Sequence, residues 1–296
     1  MEINEITLND KVDLSNTYLT IGFFDGLHIG HKDLINKAKE LGEVSLLSFS
    51  MDMKSILRNK EPEFLLTKKQ KIEMLKSLGI SKFIELRFDE KLKNSSKEEF
   101  LSFLKELNPK GIIVGEDFTF SKNAEGKSKD LLKLKEEGFE IYIIPLHQYN
   151  SIKISSTEIK NLLHQNKIEE ANNLLGYNFF YDGIVIHGLE NGRKINFPTA
   201  NMKLEENKIK LNPGVYKTLT CIDNKIYKSM TNIGNHPTID KLNENIIETN
   251  IIDFNKDIYN KSIRVYFLSF IREQKDFKSL DNLKEQLNKD IEIAKI

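Results

Sequence analysis

The sequence predicts two domains of different class, an α/β domain with a Rossmann-like parallel sheet followed by a small antiparallel β-barrel or sandwich closed by one helix. Three observations predict this. Short apolar runs alternate with helical patterns through the first half, the rhythm of a doubly wound parallel sheet. From about residue 178 strands follow one another through turns rich in Asn, Gly, Asp and Pro, with little room for helices, as in a barrel or sandwich. At 296 residues the chain is long enough for two cores.

In the first half the candidate strands are Thr17–Phe23, Val44–Phe49, Lys82–Leu86, Gly111–Val114 and Phe139–Ile144, with helical stretches near 32–41, 67–78, 96–107 and 128–137. Thr67-Lys68-Lys69-Gln70 has the form of a capping box. In the second half the candidates are Phe179–His187, Val215–Ile222, Lys225–Ile233, Asn245–Phe254 and Ser262–Phe270. Leu280, Leu283, Leu287 and Ile291 then recur at helical spacing behind Ser279, a core stripe with its cap. The helical segment Ile168–Leu175 precedes Gly176-Tyr177, so the domains are expected to be 1–175 and 176–296.

Lys+Arg 44 balances Asp+Glu 44, which gives no global argument for nucleic acid or an anionic membrane. One cysteine and no tryptophan exclude a disulfide framework and fit a reducing, cytoplasmic setting. The acidic N-terminus reads as no signal peptide, and no apolar run reaches the ~20 residues of a membrane span.

The most informative segment is Gly22-Phe23-Phe24-Asp25-Gly26-Leu27-His28-Ile29-Gly30-His31, at a strand-to-helix junction. Such junctions aim unpaired N–H groups and the positive end of a helix dipole at one point. The glycines at 22, 26 and 30 let backbone approach a ligand, and His28 and His31 can donate to phosphate oxygens. The rival reading is half a metal site. It lacks support, because Cys221 is the lone cysteine and the other four histidines have no ligand spacing.

Four further constellations carry two readings each. Ser155, Ser156, Thr157 and Lys160 before a helical stretch suit either phosphate binding or plain capping. Asp117 and Phe118, after a strand end, suit either a flat ring or metal, or an ordinary loop exit. Thr199 and Asn201, behind a loop containing Gly188, Gly192 and Arg193, offer oxygen ligands for a hard cation such as Mg²⁺, or form an Asx turn. Glu248 interrupts an apolar strand, as an outward-facing position would, and as a base for phosphoryl transfer would.

Together these motifs resemble the bacterial bifunctional riboflavin kinase/FAD synthetase family over nearly the whole chain. Gly22–His31 resembles its Gly-x-Phe-Asp-Gly-x-His-x-Gly-His signature, Ile154–Lys160 its Ser-Ser-Thr-x-Ile-Arg loop, and Phe197–Asn201 its Phe-Pro-Thr-Ala-Asn motif. Pro213–Tyr216, Thr231–Gly234 with Pro237-Thr238, and the stretch from Arg272 to Asp290 also fit. The resemblance implies two ATP-dependent steps: riboflavin to FMN with release of ADP, then FMN to FAD with release of pyrophosphate. It implies Glu248 as base and Thr199 and Asn201 as Mg²⁺ ligands in the barrel, with Gly188, Gly192, Arg193 and Arg272 beside the nucleotide or flavin. In the first domain it implies His28 and His31 as catalytic residues. Gly22, Phe24, Asp25, Gly26, Gly30, Asp117, Phe118, Ser155, Ser156, Thr157 and Lys160 are then expected around the substrates. The chain departs from that pattern at Met51-Asp52-Met53 (commonly Pro-His-Pro), Ser121 and Asn196 (usually Gly), Lys160 (usually Arg) and Asn250 (often His). Lysine at 160 loses the bidentate fork. A binding protein without turnover is the alternative from another class.

Overall fold

The computed structural model describes residues 1–51, 62–146, 148–149, 152–187, 197–205, 207–234 and 246–296. Asp52, Met53, Gly188, Gly192, Arg193 and Asn196, with Pro237 and Thr238, lie outside the described residues. The chain divides into two compact units, Met1–Ser156 and Thr157–Ile296.

The first unit is built on β1 (Glu2–Ile6), β2 (Thr17–Gly22), β3 (Glu43–Phe49), β4 (Lys82–Leu86), β5 (Gly111–Gly115) and β6 (Glu140–Ile144). They form one six-stranded parallel sheet in the order β1-β4-β3-β2-β5-β6. The chain leaves β2 toward β3 on one side and later returns as β5 on the other, so the carboxyl ends of β2 and β5 flank the switch point where such sheets bind ligands. Leu19, Ile21, Leu47, Ile84, Ile112 and Val114 are buried with Phe100, Phe103 and Leu104 from the covering helix. That helix, Lys97–Leu107, opens on a Ser96–Glu99 capping box, and Lys68–Ser77 opens on the Thr67–Gln70 box.

Elements of the first unit differ from the sequence reading. Glu2–Ile6 is an edge strand running parallel to β4, although its acidic alternation gives a weak apolar signal. Ser128–Glu137 is a 3₁₀ segment rather than an α-helix. Its i→i+3 turns still bury Leu131 and Leu134.

In the second unit β7 (Phe180–Ile186), β8 (Ala200–Lys203), β9 (Gly214–Ile222), β10 (Lys225–Ile233), β11 (Ile246–Ile251) and β12 (Ser262–Arg272) close a barrel in the order β7-β8-β11-β10-β9-β12. Period-two alternation sorts its side chains. Thr218, Thr220, Ser229, Thr231 and Thr249 are fully buried and joined by hydroxyl hydrogen bonds of 2.8–2.9 Å. Val215 and Met230 are instead covered by the C-terminal helix Leu280–Lys295 through Leu287, Ile291 and Ala294. Ser279 caps that helix by accepting from the Asn282 amide at 3.2 Å. The helix Ile168–Leu175 is tied to the barrel by Asn172, which donates to the Phe267 carbonyl and accepts from the Phe179 amide, each at 2.8 Å.

Candidate active sites

The 22–31 loop leaves the carboxyl end of β2 and feeds the helix Ile29–Leu41, which starts earlier than the sequence pattern indicated because His28 caps it. His28 Nδ1 accepts from the His31 amide at 3.4 Å. A ring nitrogen used as acceptor puts the proton on the other one, so Nε2–H is the free donor of a neutral His28. The His31 ring stacks on His28 at 3.6 Å with 15° between planes and meets Phe24 at 5.0 Å. Burial pushes the His28 imidazole down to about 4, against the pull of Asp117 and with help from Lys32. Burial, His28 and Lys71 hold His31 well below its usual range. Both rings are neutral near neutral pH, donors of hydrogen bonds rather than cations.

The loop is set from beneath. Asp25 is 1% exposed, and its Oδ1 accepts from the Leu65 amide at 2.7 Å and the Leu66 amide at 3.4 Å. Phe24 is fully buried. Phe24 (φ 54°), Gly26 (φ 85°) and Leu27 (φ 41°) are left-handed, which turns successive peptides within four residues. Only glycine adopts this conformation without strain. A Cβ on Gly22 would come within 3.2 Å of the Phe24 ring. Asp25 and Phe24 are thus placed to shape the loop. Gly30 is less constrained, since a Cβ there would make ordinary 3.5 Å contact with His28.

Ser156 Oγ donates to the Asp25 carbonyl at 2.7 Å, which brings the Ser155–Ser156 turn to this loop. Thr157 is exposed and Lys160 half-buried in the first turns of the helix Ser156–His164. Asp117 is exposed past the end of β5 and pairs with Lys153 at 2.9 Å, while Phe118 packs toward the core at 5.7 Å from Phe120. Met51 is exposed past the end of β3. Ser121 sits at φ 66°, ψ 176°, a region that glycine alone populates freely, and its Oγ donates to the Ser96 carbonyl at 2.9 Å. The backbone therefore accounts for the glycine usual at that position.

In the second unit a cavity of about 500 Å³ lies against the outer face of the barrel beside the C-terminal helix. Its lining includes Phe197, Thr199, Asn232, Glu248, Asn250 and Arg272. Register explains the grouping. Asn201 on β8, Glu248 on β11 and Asn232 on β10 are direct cross-strand partners and so share a face. Asn201 is largely buried, its Nδ2 3.5 Å from the Thr199 carbonyl. Asn250, 8% exposed, donates to the Pro198 carbonyl at 2.8 Å and so holds the Phe197–Asn201 segment. Arg272 is held by its neighbours. Its guanidinium grips Asp290 at 2.7–3.1 Å, Asp290 also accepts from Gln286 at 2.8 Å, and Arg272 donates to the Glu273 carbonyl at 2.9 Å. Arg272 lines the cavity while fastening the helix to the end of β12.

Sequence reasoning named Asn232 only within the Thr231–Gly234 stretch, without a role, and missed Lys71. The place of Asn232 beside Glu248 shows through strand register. Lys71 shows only as one of many lysines on an amphipathic helix, yet it reaches the Phe23 carbonyl.

A parallel-sheet domain with its histidine loop at the switch point, followed by a closed barrel carrying a carboxylate in a cavity, defines a nucleotidyltransferase-like domain joined to a kinase-type barrel. Residues 10–158 match the family described as FAD synthetase, and residues 175–296 match riboflavin kinase. The chain is 38% identical over 296 residues to the bifunctional riboflavin kinase/FMN adenylyltransferase of Buchnera aphidicola subsp. Schizaphis graminum, covering 95% of this chain and 94% of that one. It is 32% identical to the protein of that name from Listeria monocytogenes, over 96% and 93% of the two chains. The Escherichia coli K12 protein is 33% identical over 92% and 90%. The chain belongs to the bifunctional riboflavin kinase/FMN adenylyltransferase family. A crystal structure titled as a macrolide-efflux protein from Streptococcus pneumoniae superposes with a TM-score of 0.88 at 30% identity, covering 98% of each chain. Among the described residues no helix is long and apolar enough to cross a membrane.

Proposed function

We propose a division of labour between the residues at 1–175 and those at 176–296 for the two activities of this family. The chain is a bifunctional enzyme of flavin cofactor biosynthesis that uses ATP twice, phosphorylating riboflavin to FMN and adenylylating FMN to FAD.

In the barrel, Glu248 accepts the proton of the ribityl 5′-hydroxyl as that oxygen attacks the γ-phosphorus of ATP and ADP departs. The observation that carries this reading is the position of Glu248 in the cavity wall, in one cross-strand row with Asn201 and Asn232. The donor set suits Mg²⁺. Asn201 turns its Nδ2 toward the Thr199 carbonyl, so its Oδ1 and the Thr199 hydroxyl, both hard and neutral oxygens, would be the protein ligands. When bound there, the ion would neutralise ATP phosphate charge. Positioning and charge neutralisation supply most of the rate in such a transfer.

In the α/β unit the FMN phosphate attacks the α-phosphorus of ATP and pyrophosphate leaves. His28, through Nε2–H, and His31 donate to oxygens on which negative charge develops. Ser155 and Ser156 hold the departing phosphates, and Asp117 and Phe118 border the substrates. Asp25, Phe24, Gly22, Gly26 and Gly30 shape the loop. Consumption of ATP in both steps favours a cytoplasmic site of action.

Incubation of the purified chain with riboflavin, ATP and Mg²⁺, followed by chromatography, tests this. FMN appearing first and FAD after it is expected. FMN without FAD would remove the assignment of the 22–31 loop, and neither product would leave only flavin or nucleotide binding.

A further inference from the structure

A cation that the motif does not contain stands against the 22–31 loop. Lys71 is the fourth residue of the helix Lys68–Ser77 and is only partly exposed. Its Nζ donates to the Phe23 carbonyl at 3.0 Å and to Ser48 Oγ at 3.3 Å, and lies 5.0 Å from the centre of the Phe23 ring. Ser48 Oγ donates to the same carbonyl at 2.9 Å, and Ser48 pairs with Gly22 across β3 and β2. The acceptors within hydrogen-bond reach are therefore neutral, while the carboxylates of Asp25 and Glu85 act on Lys71 from farther away. Burial still outweighs them and lowers the ammonium below its usual range.

A charge held on a carbonyl acts on the rest of that peptide. The Phe23–Phe24 peptide is trans, so its N–H points away from Lys71, and polarisation of the C=O strengthens the N–H as a donor. The same contacts tie the helix Lys68–Ser77 to the loop at a second point, beside the Asp25 carboxylate on the Leu65 and Leu66 amides.

We propose that Lys71 is a positioning residue for adenylyl transfer: clamped on the Phe23 carbonyl and the Ser48 hydroxyl, it fixes the 22–31 loop and sets a positive charge behind it. This rests on the reading of that loop as the adenylyl-transfer site.

The test uses the full chain with FMN, ATP and Mg²⁺, comparing Lys71→Gln and Lys71→Arg with wild type and His28→Ala. Gln retains a donor for the Phe23 carbonyl without the charge, and Arg retains the charge. Lys71→Gln should lower kcat for FAD formation about 10- to 100-fold. Riboflavin kinase activity should stay unchanged. Lys71→Arg should recover most of the lost kcat. Equal kcat in Lys71→Gln and wild type, with His28→Ala inactive, would overturn the role of Lys71 and spare the site. So would Lys71→Arg falling as far as Lys71→Gln. Full FAD formation by His28→Ala would overturn the reading of the loop itself.

Discussion

Acidification should loosen the α/β unit through His28, and the size of the effect can be worked from its burial. In the unfolded chain the imidazole takes a proton near its ordinary value of 6.5, whereas in the fold it resists protonation down to about 4. Between those values the unfolded state binds more protons, so stability is complete above pH 6.5 and is lost as the pH falls. The shift corresponds to about 3 kcal/mol in full, of which about 2 kcal/mol is lost between about pH 7 and about pH 5. His31 titrates in the same sense. The perturbation that isolates His28 is His28→Asn, because Asn is a favourable N-cap and cannot titrate. Hydrogen exchange of the segment 17–41, corrected for intrinsic rates, would be measured for both proteins at the two pH values. The wild type should lose about 2 kcal/mol more opening free energy than His28→Asn on acidification. Equal losses in the two proteins would refute the neutral, buried His28 on which the account of the loop depends.

Substitutions at three positions probe the surrounding framework. Ser121→Gly should be about 1 kcal/mol more stable than Ser121→Ala in thermal melts, since both lose the bond to Ser96 and only Gly relieves the backbone at φ 66°. Asn250→Ala frees the Pro198 carbonyl and should raise the KM for ATP in FMN formation roughly 10-fold, with adenylylation of added FMN unchanged. Arg272→Met leaves Asp290, which is fully buried, without its cation, and should cost the second unit about 3 kcal/mol in denaturant unfolding.

Legibility in the sequence followed the range of the interactions. β2, β4 and β10 lie where apolar runs put them, and the caps at Thr67, Ser96 and Ser279 are local devices readable from a few residues. The edge strand Glu2–Ile6 was not legible, because its pairing with β4 spans some eighty positions and its own residues alternate weakly. β8 was hidden for the same reason, being four residues long and defined by its partners β7 and β11. At the candidate sites, the histidine loop and the Phe197–Asn201 segment could be found from residue type and spacing. The work of Asp25 on the amides of residues 65 and 66, of Lys71 on Phe23, and of Arg272 on Asp290 could not. Each joins elements distant in sequence, and nothing local marks the side chain as engaged.

If two chemistries run on separate residues in one chain, paired substitutions separate them. His28→Ala and Glu248→Gln would each be supplied with riboflavin, ATP and Mg²⁺, then with FMN and ATP, while both flavin products are followed by chromatography. His28→Ala should accumulate FMN and form no FAD from either substrate. Glu248→Gln should form no FMN from riboflavin yet convert added FMN to FAD. Loss of both activities in either folded variant would contradict the account.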